Sequence, residues 1–344
     1  MKALLLTAPS QLEFTDVADP VCGRDEVVVR VRACGICGSD IHGWDGSSGR
    51  RLPPLIMGHE AAGEIAAVGS SVEGWRLGDR VTFDSTIYCG KCRFCEAGEI
   101  NLCSDRRVVG VAPAEYRQNG AFAEFLALPA RILHALPAGL YFAKAAFVEP
   151  TSIAVHAVRR SGITKGSSAV VVGSGMIGLL VIQALRWAGA SRIIAIDRVA
   201  ERLAIARQLG ATDTLDAAGD VAESVAKMTG GDGADAAFEV VGIGPTLNLA
   251  LRCVRRGGTC TLVGNLQPAT PDFPLQAVVT REITIIGSCA SAGEYPQCLD
   301  LIARGVIQTE PLTSAIAPLR DGVEWFRTLS GPTGGRYLKV ILQP

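Results

Sequence analysis

The chain has 344 residues and a net charge of −1, from 33 basic and 34 acidic side chains with no long basic run. That balance argues against a nucleic-acid binder or a membrane-surface protein, and the length exceeds one ordinary core, so two domains are expected. The start, Met1-Lys2-Ala3-Leu4-Leu5-Leu6, turns polar at Gln11, Glu13 and Asp16, too soon for a signal peptide, and the most apolar stretch, 169–185, is too short and too interrupted by glycine to span a bilayer.

In chain order, the first 140 residues read as short strands at 27–31, 64–68, 80–83, 121–128 and 131–136, cut by Gly, Pro and Asp. No strong helical period runs through this half, so a compact β-barrel with long functional loops is expected. Two of its segments carry chemistry. Cys37-Gly38-Ser39-Asp40-Ile41-His42 supplies a thiolate, a hydroxyl, a carboxylate and an imidazole, and Gly58-His59-Glu60-Ala61-Ala62-Gly63 sets a second imidazole beside a second carboxylate. Cys37, His59 and Glu60 make a three-ligand zinc site with its fourth position open, the arrangement of a catalytic zinc. A thiolate, a neutral imidazole and a carboxylate neutralise the dication and leave a moderate Lewis acid. Arg50 and Arg51, in a loop near this segment, read first as a solvated face and otherwise as a contact for an acidic or phosphorylated ligand. His134 and His156 sit in apolar segments without partner ligands and read as packing histidines.

Next come Cys89, Cys92, Cys95 and Cys103, spaced C-x2-C-x2-C-x7-C. Four soft thiolates so close together suit a closed tetrahedral zinc, which makes this second site structural. The other cysteines are scattered at no disulfide-like spacing, and thiolates that hold zinc must stay reduced, so a cytosolic setting is expected.

An Ala/Val-rich helical pattern at 143–160 leads out of the first half. Apolar runs at 169–172, 193–196, 236–241, 259–263 and 283–286 then alternate with helix-length segments such as 200–209. This alternation implies right-handed βαβ units and a doubly wound parallel sheet. Gly173-Ser174-Gly175-Met176-Ile177-Gly178 follows the first of these strands and opens a helix at 179–187, the context in which G-x-G-x-x-G binds a dinucleotide pyrophosphate. Asp197 ends the next strand, where its carboxylate accepts from an adenosine ribose diol and repels a 2′-phosphate. NAD(H) is therefore expected in preference to NADP(H), although Arg198 and Arg202 lie just beyond. The tail carries a helix at 295–304 and a strand at 338–342 that returns to the first domain. The expected divisions are 1–152, with a zinc lobe at about 85–107, then 153–289 and a returning 290–344.

The C-G-S-D-x-H segment, the G-H-E-x2-G-x5-G motif, the four-cysteine lobe and the later G-x-G-x-x-G together resemble the zinc-dependent medium-chain alcohol dehydrogenases, over essentially the whole chain. Phe147-Val148-Glu149-Pro150, with the 152–158 segment after it, is similar to the sorbitol dehydrogenase branch, in which a glutamate replaces a third ligand cysteine. The resemblance implies an α/β plus β fold: a GroES-like catalytic domain split in sequence around a Rossmann domain. It also implies that Cys37, His59 and Glu60 hold the catalytic zinc, and that Glu149 binds it directly or through the zinc water. Asp40 then hydrogen-bonds His59, and Ser39 accepts the alcohol's proton and passes it through the ribose hydroxyls to His42. Two departures bear on substrate: an aromatic of the branch is Gly43 here, and an arginine is Ala290. The expectation is an NAD-dependent secondary-alcohol dehydrogenase for a sugar alcohol, sugar or sugar acid, dimeric or tetrameric. A threonine-dehydrogenase-like amino-alcohol enzyme and a dinucleotide-binding protein without turnover are the alternatives.

Overall fold

A computed structural model describes residues 1–265 and 272–344. The chain forms two compact units: Met1–Glu149 with Tyr295–Gly305 and Thr309–Pro344, and Pro150–Glu294 with Val306–Gln308. Among the described residues no helix is long and apolar enough to cross a membrane.

The first unit is built mainly on antiparallel strands, with Thr313–Pro318 running parallel to Lys339–Gln343. Its larger sheet runs Leu133–Ala135, Arg80–Phe83, Glu60–Val68, Glu26–Gly35, Lys339–Gln343 and Thr313–Pro318 in spatial order, with Phe125–Pro129 also on Glu26–Gly35. The alternation Val27, Val29, Val31 puts one face of the long strand into a core shared with Leu4, Leu6, Phe83, Phe122 and Leu128. Residues 121–123, expected as the start of a strand, lie outside the named strands yet pair locally with neighbouring chain. Ala121, Phe122 and Ala123 are buried, with one isolated bridge from Ala3 to Ala123. The tail adds a helix, Gly322–Ser330, whose Phe326 packs edge-on against Phe122 and Trp44 at centroid distances of 5.7 and 6.2 Å. Trp44 ends the short helix Gly38–Trp44, so this aromatic cluster anchors the segment that follows Cys37.

In the second unit six parallel strands lie in the order Asp213–Asp216, Arg192–Asp197, Ser168–Val172, Ala234–Glu239, Val254–Leu262, Thr284–Gly287. Numbered along the unit this is 3-2-1-4-5-6, the dinucleotide-binding order, in which the sheet reverses direction of winding beside the first strand. The edge strand Asp213–Asp216 escaped the apolar pattern because its sequence is DTLD. Val170, Val172, Ile194, Ile196 and Ala237 are fully or almost fully buried, as expected for strands covered on both faces.

Candidate active site and zinc lobe

Strand register brings the first set of donors together. Gly35 ends its strand and pairs with Glu60 on one side and Ile341 on the other. Cys37 follows two residues later as the N-cap of the helix Gly38–Trp44, and His59 immediately precedes the strand that Glu60 opens. One donor atom from each of Cys37, His59 and Glu60 lies within 4.8 Å of the others. Thiolate, imidazole and carboxylate at that separation fit a zinc ion, and three protein ligands leave a position for substrate.

Asp40 ties the cluster to the helix. Its Oδ2 accepts the Cys37 backbone N–H at 3.1 Å, which fixes the turn that presents the thiol. Its Oδ1 lies 3.3 Å from His59 Nδ1 and accepts from Arg51 Nη2 at 3.3 Å. His59 Nδ1 is buried and faces this carboxylate oxygen. Burial raises the Asp40 pKa, but the facing His59 and Arg51 outweigh it and hold the carboxyl at about 2. Burial opposes a charge on His59 as well, yet Asp40 and Cys37 together raise its pKa well above the ordinary value.

The carboxylates are not equivalent. Glu60 Oε2 accepts from Lys339 Nζ at 2.5 Å, and that ammonium also donates to the Ile36 carbonyl at 3.1 Å. Both side chains are almost completely buried. They reach each other past Gly35, where a Cβ would collide with Glu60 Oε2 and lie 3.1 Å from Lys339 Cδ. Burial lowers the Lys339 pKa, and the Glu60 carboxylate, with Cys37 and Glu149, more than restores it. Glu149 is also buried and accepts from Ser85 Oγ at 3.2 Å, while Ser85 N–H donates to the Tyr295 hydroxyl at 3.2 Å. Burial raises the Glu149 pKa to about 7 against the pull of His59. Glu60, not Glu149, thus belongs to the close donor cluster.

Ser39 is exposed at the rim, its Oγ 3.3 Å from Cys37 Sγ. His42 is exposed too, with Nδ1 3.4 Å from Ser47 Oγ. Arg50 is exposed, whereas Arg51 is buried against Ser39 and Asp40 and is no solvated face. Lys339 was not among the expected site residues; the only sequence signal that could have found it is a lone lysine in an apolar strand, Leu338-Lys339-Val340-Ile341. His156 has a partner after all: Nδ1 lies 2.9 Å from Glu294 Oε1. His134 stacks on Tyr295 at 5.1 Å, and burial lowers its pKa.

The four cysteines of the lobe also converge, with all four sulfurs within 4.8 Å of one another. The short pair Thr86–Ile87 and Arg107–Val108 closes the base of this lobe. Backbone N–H groups of Ser104 and Cys95 face Cys92 and hold its thiol down at about 5, and the Lys91 N–H lowers that of Cys89. Such thiolate-favouring dipoles suit a metal that binds only the deprotonated form. No disulfide joins cysteines among the described residues.

In the second unit Gly173 has φ +102°, a conformation closed to most side chains, and a Cβ on Gly178 would collide with the Gly173 carbonyl. Gly175 is the N-cap of the helix Met176–Trp187, so Met176, Ile177 and Gly178 form its first turn with N–H groups free for a pyrophosphate. Asp197 Oδ2 accepts the Ser174 N–H at 2.7 Å and Oδ1 the Val199 N–H at 2.9 Å. Arg202 Nη1 stands 3.9 Å from the same carboxylate, and Arg198 is exposed.

Residues 23–138 match the alcohol dehydrogenase GroES-like domain family and residues 177–304 the zinc-binding dehydrogenase family. The chain is 35% identical to sorbitol dehydrogenase of Bacillus subtilis (strain 168) over 320 residues, 91% of this chain and 89% of that one. It is 35% identical to L-idonate 5-dehydrogenase of Vitis vinifera over 332 residues, 94% and 89% of the two chains. A zinc-binding dehydrogenase from Sinorhizobium meliloti 1021, solved bound to NADP, superposes with a TM-score of 0.92 at 33% identity and covers 100% of this chain and 99% of its own. With its donor cluster, its four-cysteine lobe and its parallel dinucleotide-binding sheet, the chain belongs to the zinc-binding medium-chain alcohol dehydrogenases, in their sorbitol dehydrogenase-like branch.

Proposed function

We propose that the protein transfers a hydride between NAD(H) and a secondary alcohol or ketone, with a sugar alcohol or sugar-derived compound as substrate. The observation that carries this reading is the convergence of Cys37, His59 and Glu60 on one point beside the exposed Ser39 hydroxyl. A zinc ion held there would supply Lewis acidity toward a substrate hydroxyl, and the nicotinamide would supply the hydride acceptor. The residues do the rest. Cys37, His59 and Glu60 hold the metal, Asp40 orients the imidazole, and Glu149 offers a second carboxylate to the same region. Ser39 takes the proton of the substrate hydroxyl, and the exposed His42 exchanges it with solvent.

Preference for NAD rests on Asp197, whose two oxygens are fixed by the Ser174 and Val199 N–H groups at the end of the second strand, where a carboxylate would repel a 2′-phosphate. A polyol or sugar-derived substrate is supported by the relatives, which include a sorbitol and an idonate dehydrogenase. A closed zinc at Cys89, Cys92, Cys95 and Cys103, and a homodimer or homotetramer, belong to the same proposal. The test is nicotinamide absorbance on a panel of polyols, aldonates, sugar phosphates and threonine, with and without chelator. Chelator-sensitive NAD+ reduction by a polyol or sugar derivative is the expected result. If no alcohol reduces NAD+ in a zinc-replete preparation, the proposal fails; a response to threonine alone would move the substrate class to amino alcohols.

A further inference from the structure

Gly43 is buried in the helix Gly38–Trp44, and its φ is not in the left-handed region. Alanine would ordinarily be preferred there, because glycine is the poorer helix former. Arg51 is what excludes it. A Cβ on Gly43 would collide with Arg51 Cδ and lie 2.8 Å from Nε and 2.9 Å from Cγ. Arg51 occupies that space at 8% exposure, and its Nη2 donates to Ser39 Oγ at 3.1 Å and to Asp40 Oδ1 at 3.3 Å. Its Nε is buried with no hydrogen-bond partner. As packing this is a poor arrangement, since an incompletely satisfied guanidinium is costly where an apolar side chain would fit. Its value lies in what Nη2 does to the serine.

We propose that Arg51, seated in the space that Gly43 leaves, is the positioning residue of the proton relay, holding Ser39 Oγ as an acceptor toward the substrate hydroxyl. A guanidinium only donates, while a hydroxyl has one hydrogen and two lone pairs. With one lone pair engaged by Arg51, the substrate O–H addresses the other. The Ser39 hydroxyl hydrogen, directed at Cys37 Sγ in the structure, turns away as the substrate O–H bond breaks and a new Ser39 O–H bond forms; it leaves toward His42, which exchanges it with solvent, so the serine ends as it began. The cation also stabilises the oxygen while it carries partial negative charge. This inference rests on the alcohol-oxidising function proposed above.

The test compares wild type, Ser39→Ala, Arg51→Met, Arg51→Lys, Gly43→Ala and the Ser39→Ala/Arg51→Met double variant, on one alcohol that the wild type oxidises. kcat, KM and zinc content are measured for each. Arg51→Met is expected to lower kcat roughly 10- to 100-fold with little change in KM or zinc content. Gly43→Ala, which evicts the guanidinium, should do the same, and Arg51→Lys should recover part of the loss. In the Ser39→Ala background Arg51→Met should cost nothing further. Unchanged kcat in Arg51→Met, or an equal loss in the Ser39→Ala background, would overturn the proposal. A fall in zinc content parallel to kcat would also overturn it, placing Arg51's effect on Asp40 and His59. If Arg51→Met fails to fold, Gly43→Ala and Arg51→Lys carry the comparison. A wild type that oxidises no alcohol would overturn the function itself, a result these variants cannot imitate.

Discussion

Replacement of Lys339 by Met should destabilise the metal-free protein far more than the zinc-loaded one. The ammonium and the Glu60 carboxylate are 4% and 1% exposed, so solvent screens neither. Removing one member of such a pair leaves the other charge buried and uncompensated, at a cost of about 3–5 kcal/mol. For a domain of this size each kcal/mol shifts the melting temperature by about 2–4 °C, which gives a fall of about 6–20 °C for the metal-free variant. Zinc at Cys37, His59 and Glu60 would neutralise the same carboxylate, so the loaded variant should recover most of that loss. Lys339→Arg keeps a charge and should fall between. Gly35→Ala, whose Cβ would collide with Glu60 Oε2, should act in the same direction without touching either charge. The assay is thermal unfolding followed by fluorescence, with chelator and then with stoichiometric zinc. A metal-free Lys339→Met protein that melts with the wild type would refute the reasoning, as would an equal loss in both metal states.

The remaining predictions concern separable parts of the molecule. Asp197→Ala should erode the preference for NAD, seen as a fall in the NAD/NADP ratio of kcat/KM; an unchanged ratio would show that the carboxylate does not select the cofactor. Cys37→Ser should abolish turnover in a folded, dinucleotide-binding protein, whereas Cys103→Ser should lower thermal stability first. Loss of turnover in a fully stable Cys103→Ser protein would contradict that division. Burial raises the Glu294 pKa, but the His156 hydrogen bond and charge outweigh it and leave the carboxyl below its ordinary value of 4.5. A depressed carboxyl contributes stability above its unfolded pKa, and that contribution disappears as pH falls through the folded value. Glu294→Gln should therefore flatten the acid side of the stability profile below about pH 4.5, and an unaltered profile would remove Glu294 from the account.

Much of the fold was readable because its signals are local. Buried parallel strands advertise themselves as apolar runs, and G-x-G-x-x-G after such a run leaves few structures open. Where the pattern failed, polarity or burial misled it. Asp213–Asp216 is an edge strand of mostly polar residues, and 121–123 is a buried apolar stretch with one isolated bridge that extends no named strand. The donors of the candidate site were legible as residue types. Their environment was not, because hydrogen bonds between residues 39 and 51, or 60 and 339, leave no periodic trace.

The sequence by itself determined the family, the two sets of metal-ligating residue types and the dinucleotide loop, since each is a short motif whose spacing reflects local geometry. Tertiary structure decided which carboxylate joins the close cluster, that Lys339 faces Glu60 across Gly35, and that Arg51 is buried against Ser39 where a surface arginine was expected. These depend on strands and loops far apart in the chain meeting at one point, and on the missing side chains of two glycines. Only the folded chain defines such spaces.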